Sequence, residues 1–160
     1  MERYSYIFKN EVYITHINSI EEYERDRIFC HHDTGHFLDV ARIGMIINLS
    51  EGIGIKKDVI YAAALLHDIG RDIQYKDGTP HEIASRDIAE KILSDSEYTL
   101  DERLEILRAI ANHRSKEIMT EVNLSGVLYR ADKLSRACYF CKAEKECDWK
   151  NDKKNLELNI

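Results

Sequence analysis

The chain has 160 residues, the length of one domain with a single sizeable core. Its net charge of −6, with histidine neutral, argues against long nucleic acid as a partner, although a small phosphorylated ligand could bind through a metal. The longest apolar run, residues 59–66, is far shorter than the roughly 20 residues that span a bilayer, and no apolar signal segment follows Met1. We therefore predict a cytoplasmic protein with no membrane partner.

The scarcity of Gly and Pro and the spacing of apolar residues predict an all-α single domain of about six helices. Asn10 can cap a first helix, with one face formed by Val12, His16, Ile20, Tyr23 and Arg27. Thr34 is the predicted N-cap of the second helix, whose apolar stripe is Phe37, Val40, Ile43, Gly44 and Ile47, up to Leu49. Two glycines then predict a break over residues 51–54.

The third predicted helix spans about residues 57–69 and is apolar nearly all round, which places it at the centre of the domain. Gly70 is its expected stop, and a turn follows at residues 77–78. Capping boxes predict two further helix starts, one with Thr79, Pro80 and Glu82, the other with Thr99 and Glu102, reaching His113. A last long helix is expected from about Ser125 to about Cys147, followed by a polar, frayed tail from Asn151.

His67 and Asp68 are adjacent at the end of the all-apolar helix, where neither side chain easily reaches water. A buried Asp is rare unless it is paired or coordinates a metal. A divalent cation would satisfy both side chains at once. The alternative is a hydrogen-bonded pair that only holds helices together.

His36 and Asp132 lie on two other predicted helices. Taken singly, His36 is typical of a core or cap residue, and Asp132 of a surface ion pair with Arg136. Taken with His67 and Asp68, they complete a four-residue set of metal ligands.

Three stretches, residues 36–41, 62–71 (Ala-Ala-Ala-Leu-Leu-His-Asp-Ile-Gly-Arg) and 131–134, resemble the HD-domain metal-dependent phosphohydrolase superfamily. The resemblance covers about residues 32–136 of a single HD-like domain spanning residues 1–160, with residues 1–30 forming an N-terminal helix. It implies an HD-type helical bundle in which His36, His67, Asp68 and Asp132 bind a first metal. In the binuclear branches two further histidines follow, so the resemblance implies that His81 and His113 hold a second metal, bridged by Asp68. The alternative places His81 on the surface and His113 opposite a helix dipole.

The implied activity is hydrolysis of a phosphate ester or anhydride of a small nucleotide-like substrate, by a metal-bound hydroxide. One or two divalent transition metals are implied, and Fe, Mn, Co, Ni and Zn all suit the ligands. Besides Asp68, we expect catalytic roles for three cations that could bind phosphate oxygens, Arg71, Arg114 and Lys133. Two alternatives stay open: a di-iron oxygenase on the same ligands, and a non-catalytic ligand-binding module. Substrate specificity is expected from the loops at residues 52–57 and 71–79.

The four cysteines, Cys30, Cys138, Cys141 and Cys147, have two interpretations. Buried free thiols with one reactive surface thiol are preferred, because a continuous helix would force Cys147 to fold back to join the others. The alternative is a structural site of four thiolates, with His31 or His32 able to replace one. Oligomeric state is open between monomer and homodimer, since the segment with Tyr4, Tyr6, Ile7, Phe8 and Tyr13 could pack on the domain or on a second copy.

Overall fold

The computed structural model describes residues 2–159, which form helices and no strand. The seven α-helices are α1 (Glu11–Glu24), α2 (Thr34–Ser50), α3 (Lys57–Leu66), α4 (Arg71–Asp77), α5 (His81–Ser94), α6 (Leu100–Asn112) and α7 (Leu124–Leu134). Short 3₁₀ helices span Arg3–Lys9, Lys116–Thr120, Cys138–Phe140 and Asn151–Lys153. The all-α prediction is confirmed, with seven α-helices in place of about six.

Helix α3 lies at the centre of the bundle, as its all-round apolar surface predicted. Every residue from Val59 to Leu66 except Tyr61 is buried, and the helix packs against α2, α6 and α7. Gly44 of α2 allows a close approach, because an added Cβ would lie 3.0 Å from Cγ2 of Ile60. A polar side chain at the end of α3 therefore meets other helices before it meets solvent.

The buried face of α1 differs from the predicted one. Asn10 caps the helix as expected, accepting hydrogen bonds from the N–H groups of Val12 and Tyr13. The buried residues are Tyr13, Ile17, Ile20 and Glu24, whereas Val12 and Tyr23 are exposed. The prediction failed because it did not foresee that a carboxylate, Glu24, faces inward to meet buried polar partners.

Helix α3 ends at Leu66, three residues before the predicted end, and the turn of residues 67–70 leads directly into the unpredicted helix α4. Gly70 is thus the N-cap of α4 and not a simple stop. Its N–H donates to Ser85 Oγ (2.9 Å), and an added Cβ would lie 2.4 Å from the backbone nitrogen of Ser85. This close approach needs a glycine and holds the turn against α5. The segment of residues 71–79 is mainly helix and not the loop that was predicted there.

The two predicted capping boxes had different outcomes. Thr99 and Glu102 form a complete box at the start of α6. Thr79 does not cap α5, because its N–H is taken by Asp77 Oδ1 and Pro80 occupies the N-cap position. The second helix was also predicted to be capped by Thr34, but Asp33 caps it and accepts from the N–H of His36.

Helix α7 ends at Leu134, far short of the predicted end at Cys147. The side-chain amide of Asn155 donates to the carbonyl oxygens of Lys133 (2.7 Å) and Arg136 (2.9 Å). A residue distant in sequence therefore satisfies carbonyl groups that end the helix. The tail does not simply fray, because Asn155 and Lys154 fold back onto the domain.

The N-terminal segment packs on its own domain. Ile7 and Tyr13 are buried in the core, and the ring of Tyr4 stacks on Tyr61 at 4.5 Å. Residues 1–30 were predicted to be one helix, but the described part forms a 3₁₀ helix, α1 and an irregular stretch. No helix within residues 2–159 is long and apolar enough to cross a bilayer.

Candidate metal centre

Six side chains from five helices meet at one end of the bundle. They lie at or beside helix ends: His36 in the first turn of α2, His67 and Asp68 just after α3, His81 at the start of α5, His113 just after α6, and Asp132 in the last turn of α7. All six were predicted as metal ligands, and the structure brings them together in two groups.

The first group contains His36, His67, Asp68 and Asp132, whose donor atoms all lie within 4.8 Å of one another. Oδ1 of Asp132 is 3.6 Å from Nε2 of His36 and 3.7 Å from Nε2 of His67. Nε2 of His67 is 3.5 Å from Oδ2 of Asp68. Donors about 2.0–2.1 Å from one tetrahedral ion lie roughly 3.4 Å apart, so these separations suit a bound transition metal.

The second group contains Asp68, His81 and His113. Oδ1 of Asp68 is 3.0 Å from Nε2 of His81 and 3.3 Å from Nε2 of His113, and the two imidazole nitrogens are 3.2 Å apart. The two oxygens of Asp68 thus face different donor groups. Both histidines are almost completely buried, which excludes the surface position considered for His81.

Two of the histidines are oriented by backbone carbonyls. Nδ1 of His67 donates to the carbonyl oxygen of Ala64, and Nδ1 of His113 donates to that of Ile110, each at 2.7 Å. A carbonyl can only accept, so the proton of each neutral imidazole is on Nδ1 and the lone pair is on Nε2.

The other two histidines are oriented by side chains. Nδ1 of His81 is 2.8 Å from Oε1 of Gln74. Nδ1 of His36 is 3.3 Å from Oγ of Ser135, whose own hydroxyl donates to the carbonyl oxygen of Asp132 at 2.7 Å. Because the single Ser135 proton is used there, Oγ accepts from His36. All four Nε2 atoms therefore direct lone pairs into the site, as happens in metal centres where a hydrogen bond at the other ring nitrogen orients each histidine ligand.

This arrangement leaves buried atoms without partners. Among the described residues, Nε2 of His36, Nε2 of His67 and Oδ1 of Asp68 are buried and accept no hydrogen bond, although Nε2 of His81 lies near that oxygen. Facing lone pairs repel each other, and buried unpaired polar atoms cost free energy. A cation in each group would satisfy these atoms, so the residues present fit metal ions.

Charges in the site have the signs that cation binding requires. Burial alone would raise the pKa values of Asp68 and Asp132, but both are held well below the usual range. His67 lowers both pKa values, and Arg71 further lowers that of Asp68, as Lys133 does that of Asp132. Burial, followed by the neighbouring His67, lowers the pKa of His36 to about 4. Burial would also lower the pKa of His67, but Asp68 and Asp132 outweigh it and raise that pKa, so in the absence of a metal they attract a proton to this imidazole, which a bound cation would displace. At neutral pH both carboxylates are ionised, and His36 is neutral and free to coordinate.

Comparison with known proteins agrees with this geometry. Residues 34–137 match the HD domain family. The chain belongs to that family. An uncharacterized protein of Clostridium beijerinckii is 45% identical over 159 residues, covering 99% of each chain. A crystal structure of a predicted HD superfamily hydrolase from an uncultured Thermotogales bacterium superposes with a TM-score of 0.66 at 21% identity, covering 91% of this chain and 80% of that one. This HD domain therefore has the fold of that hydrolase.

The three cations expected to bind phosphate lie at different distances from the HD-domain centre. A guanidinium nitrogen of Arg71 is 3.4 Å from Oδ2 of Asp68, and Nζ of Lys133 is 2.5 Å from Oδ2 of Asp132. Both side chains are partly exposed, at the rim of the site. Arg114 is exposed and pairs with Glu82, so the structure does not bring it to the six ligands.

Sequence reasoning missed a polar cluster beside the first group. Nε2 of His32 is 3.7 Å from Oδ2 of Asp68, and its Nδ1 is 2.5 Å from Oε1 of Glu24. The Tyr75 hydroxyl donates to the same carboxylate at 2.6 Å. Burial would raise the pKa of Glu24, but hydrogen bonds from His32 and Tyr75 outweigh it and hold the pKa at about 2. The adjacent His31 and His32 before the cap of α2 were the available signal, but were considered only as partners of the cysteines.

Proposed function

We propose that the protein is a metal-dependent hydrolase that cleaves a phosphate ester or anhydride of a small nucleotide-like substrate, using two metal ions. The observation that carries the proposal is the position of Asp68, whose two oxygens face two separate groups of donors. In this assignment His36, His67 and Asp132 hold one ion, and His81 and His113 the other. A pair of divalent ions supplies an activated water and neutralises charge at phosphorus.

The charge of the site suits a phosphorylated substrate despite the acidic chain. Two carboxylates, Asp68 and Asp132, and four neutral imidazoles would leave two divalent ions with a net charge of roughly +2. The local field then attracts a phosphate, while the formal charge of the chain, −6, repels long polyanions. A small substrate is favoured because five helices and their ends surround the site.

In this proposal Arg71 and Lys133 bind phosphate oxygens that the metals do not neutralise. The Nε atom of Arg71 is buried and has no hydrogen-bond partner among the described residues. Lys133 extends from α7 beside Asp132, with its side chain about one third exposed. A guanidinium and an ammonium on two sides of the opening would orient a phosphate before cleavage.

We further propose that His32 moves a proton during the reaction. Its Nδ1 donates to the ionised Glu24, so its Nε2 carries the lone pair on the side of Asp68. A proton taken up at Nε2 would give an imidazolium that Glu24 stabilises, and that proton could pass to the leaving-group oxygen. Glu24 and Tyr75 act as positioning residues for His32.

The test uses Asp68→Asn with Asp72→Asn as a matched control. Asp72 is also buried and lies four residues beyond Asp68, but it pairs with His16 at 2.8 Å and belongs to neither donor group. Each protein is loaded separately with Mn²⁺, Fe²⁺, Co²⁺, Ni²⁺ and Zn²⁺ and assayed on phosphomonoesters, phosphodiesters and nucleoside triphosphates. We expect Asp68→Asn to lose bound metal and to lose activity by more than the about 10–100-fold typical of a lost outer-shell partner.

The control variant should keep both properties. Wild-type activity in Asp68→Asn would contradict the proposal. Oxygen consumption by the iron-loaded protein without phosphate release would indicate an oxygenase instead. Metal binding without turnover on the whole panel would indicate a binding module.

A further inference from the structure

The four cysteines of the chain come together, and one of them, Cys30, lies on the loop that also carries His32. Cys30, Cys138, Cys141 and Cys147 line one small cavity, with Phe29, Glu144 and Lys154. They are all the cysteines in the sequence, and none forms a disulfide. Four chance cysteines at separations of up to 117 residues would rarely share one cavity.

A continuous helix through these cysteines would keep Cys147 away from the other three, but the backbone here is not a continuous helix. Helix α7 ends at Leu134, and Cys138 begins a short 3₁₀ turn in which the N–H of Cys141 donates to the carbonyl oxygen of Cys138. A second turn brings Cys147 back, its N–H donating to the carbonyl oxygen of Ala143 at 3.1 Å. The spacing Cys138-x-x-Cys141 in a tight turn is one that zinc-binding thiolates use.

This part of the chain has little apolar core of its own. Within residues 137–159, Ala143 is the one residue classed as buried, whereas Phe140 is 84% exposed. Apolar burial therefore contributes little to the fold of a segment that makes three successive turns. Small segments of this kind are commonly held by a metal or by disulfides.

We propose that Cys30, Cys138, Cys141 and Cys147 bind a single zinc ion through four thiolates, as a structural site separate from the histidine and aspartate centre. The cavity has a volume of about 30 Å³, which leaves room for a water-sized occupant such as one ion. Among the described residues, the groups of three or more ligand atoms within 4.8 Å of one another are the two histidine and aspartate groups, so the sulfurs would draw closer around the ion.

Charge near the cavity is compatible with a tetrathiolate site, which carries two net negative charges with zinc. The side chain of Lys154 is 6% exposed, lines the cavity and donates to Glu144. Burial, and then the neighbouring thiol of Cys138, raise the pKa of Cys30. Zinc binding would release the protons of the thiols that it ligates.

The position of the site indicates what it stabilises. Cys30 lies six residues before His36, and Cys138 lies six residues after Asp132. A shared ion would join the loop that leads into α2 to the segment that leaves α7, and both helices carry ligands of the other centre. The proposal does not depend on the proposed activity, because its donors and its readouts are separate.

The test replaces zinc by Co²⁺, since thiolate-to-cobalt charge-transfer absorption appears only with sulfur ligands. Wild type, Cys138→Ser/Cys141→Ser and the control His81→Ala/His113→Ala are each loaded and desalted. We expect the absorption in wild type and in the histidine variant, and its loss in the cysteine variant. Absence of the absorption from cobalt-loaded wild type would overturn the proposal.

A second measurement needs no variant, in case the cysteine variant does not fold. Zinc-loaded wild type is titrated with a mercurial thiol reagent while released zinc is followed with an indicator dye. We expect one zinc to leave as four thiols are modified, and a thiol-specific dye to react slowly until a chelator is added. Four thiols that react at once in the zinc-loaded protein, or two disulfides in the mass spectrum of the native protein, would contradict the site.

Discussion

Gln74→Ala should weaken one metal position and spare the other. Gln74 lies on α4, and its Oε1 accepts from Nδ1 of His81 at 2.8 Å. His113, the other histidine of that group, is held by a backbone carbonyl that no substitution removes. With alanine at position 74, the His81 ring loses its orienting partner and the preference for the proton on Nδ1.

The expected magnitude follows from the lost contact with His81, because the other hydrogen bond to Oε1 of Gln74, from a guanidinium nitrogen of Arg71, is long at 3.5 Å. Removing an outer-shell partner of a metal ligand typically costs 10–100-fold in affinity, or about 1.4–2.7 kcal/mol. His36 and His67 keep their partners Ser135 and Ala64, so the first group should be unaffected. The variant should therefore bind one ion as wild type does and the second ion more weakly.

Calorimetric titration of metal-free protein with Mn²⁺ or Zn²⁺ measures both steps, with the cysteines blocked beforehand so that they do not contribute. Lys76→Ala is the matched control, because Lys76 is exposed on the same short helix. Gln74→Glu, which keeps an acceptor at this position, should retain the second step. Equal weakening of both steps, or two unchanged steps in Gln74→Ala, would refute the reasoning about His81.

Three further predictions concern stability. Gly70→Ala should lower the free energy of unfolding, measured in urea, by about 3 kcal/mol or more, because the alanine Cβ would lie 2.4 Å from the Ser85 nitrogen. A loss under about 1 kcal/mol would show that the turn can move to make room. Hydrogen bonds from Arg3 hold the pKa of Glu102 at about 2. The ionised Glu102 therefore contributes about 1–2 kcal/mol to the free energy of unfolding after solvent screening. This contribution is present above about pH 4.5 and is lost as the pH falls toward 2. The difference in unfolding free energy between wild type and Glu102→Gln should shrink over that range, and a constant difference would contradict the pairing. Chelation should lower Tm by roughly 5–11 °C relative to protein with metal at a hundredfold excess over its Kd, which corresponds to about 2.7 kcal/mol; an unchanged Tm would argue against metal binding by the folded state.

The features that the sequence predicted well are those set by neighbours along the chain. The central position of α3 follows from residues 59–66, which are apolar on every side, and the capping box of Thr99 and Glu102 is a contact over three residues. The six residues of the candidate centre were found because helix ends place side chains predictably and because their pattern resembles the HD domain.

The features that were missed depend on contacts between distant residues. Glu24 was not part of the predicted face of the first helix, but His32 and Tyr75, eight and 51 positions away, provide partners that make its burial favourable. The end of α7 was predicted wrongly because it depends on Asn155, 22 residues beyond Lys133. The side-chain amide of Asn155 donates to the carbonyl oxygen of Lys133 at the end of the helix. Neither contact changes the spacing of apolar residues in the sequence, so that spacing cannot predict it.

The two proposed centres should select different metals, and this affects how metal content is interpreted. Thiolates favour zinc, whereas imidazole and carboxylate ligands suit zinc, iron, manganese, cobalt or nickel. Zinc in the purified protein would therefore not by itself identify the metal at Asp68, because the cysteines can retain zinc under conditions in which the other centre exchanges its ions. Metal analysis of Asp68→Asn beside Cys138→Ser/Cys141→Ser separates the two contributions. Loss of the same single metal equivalent from both variants would mean that only one centre forms.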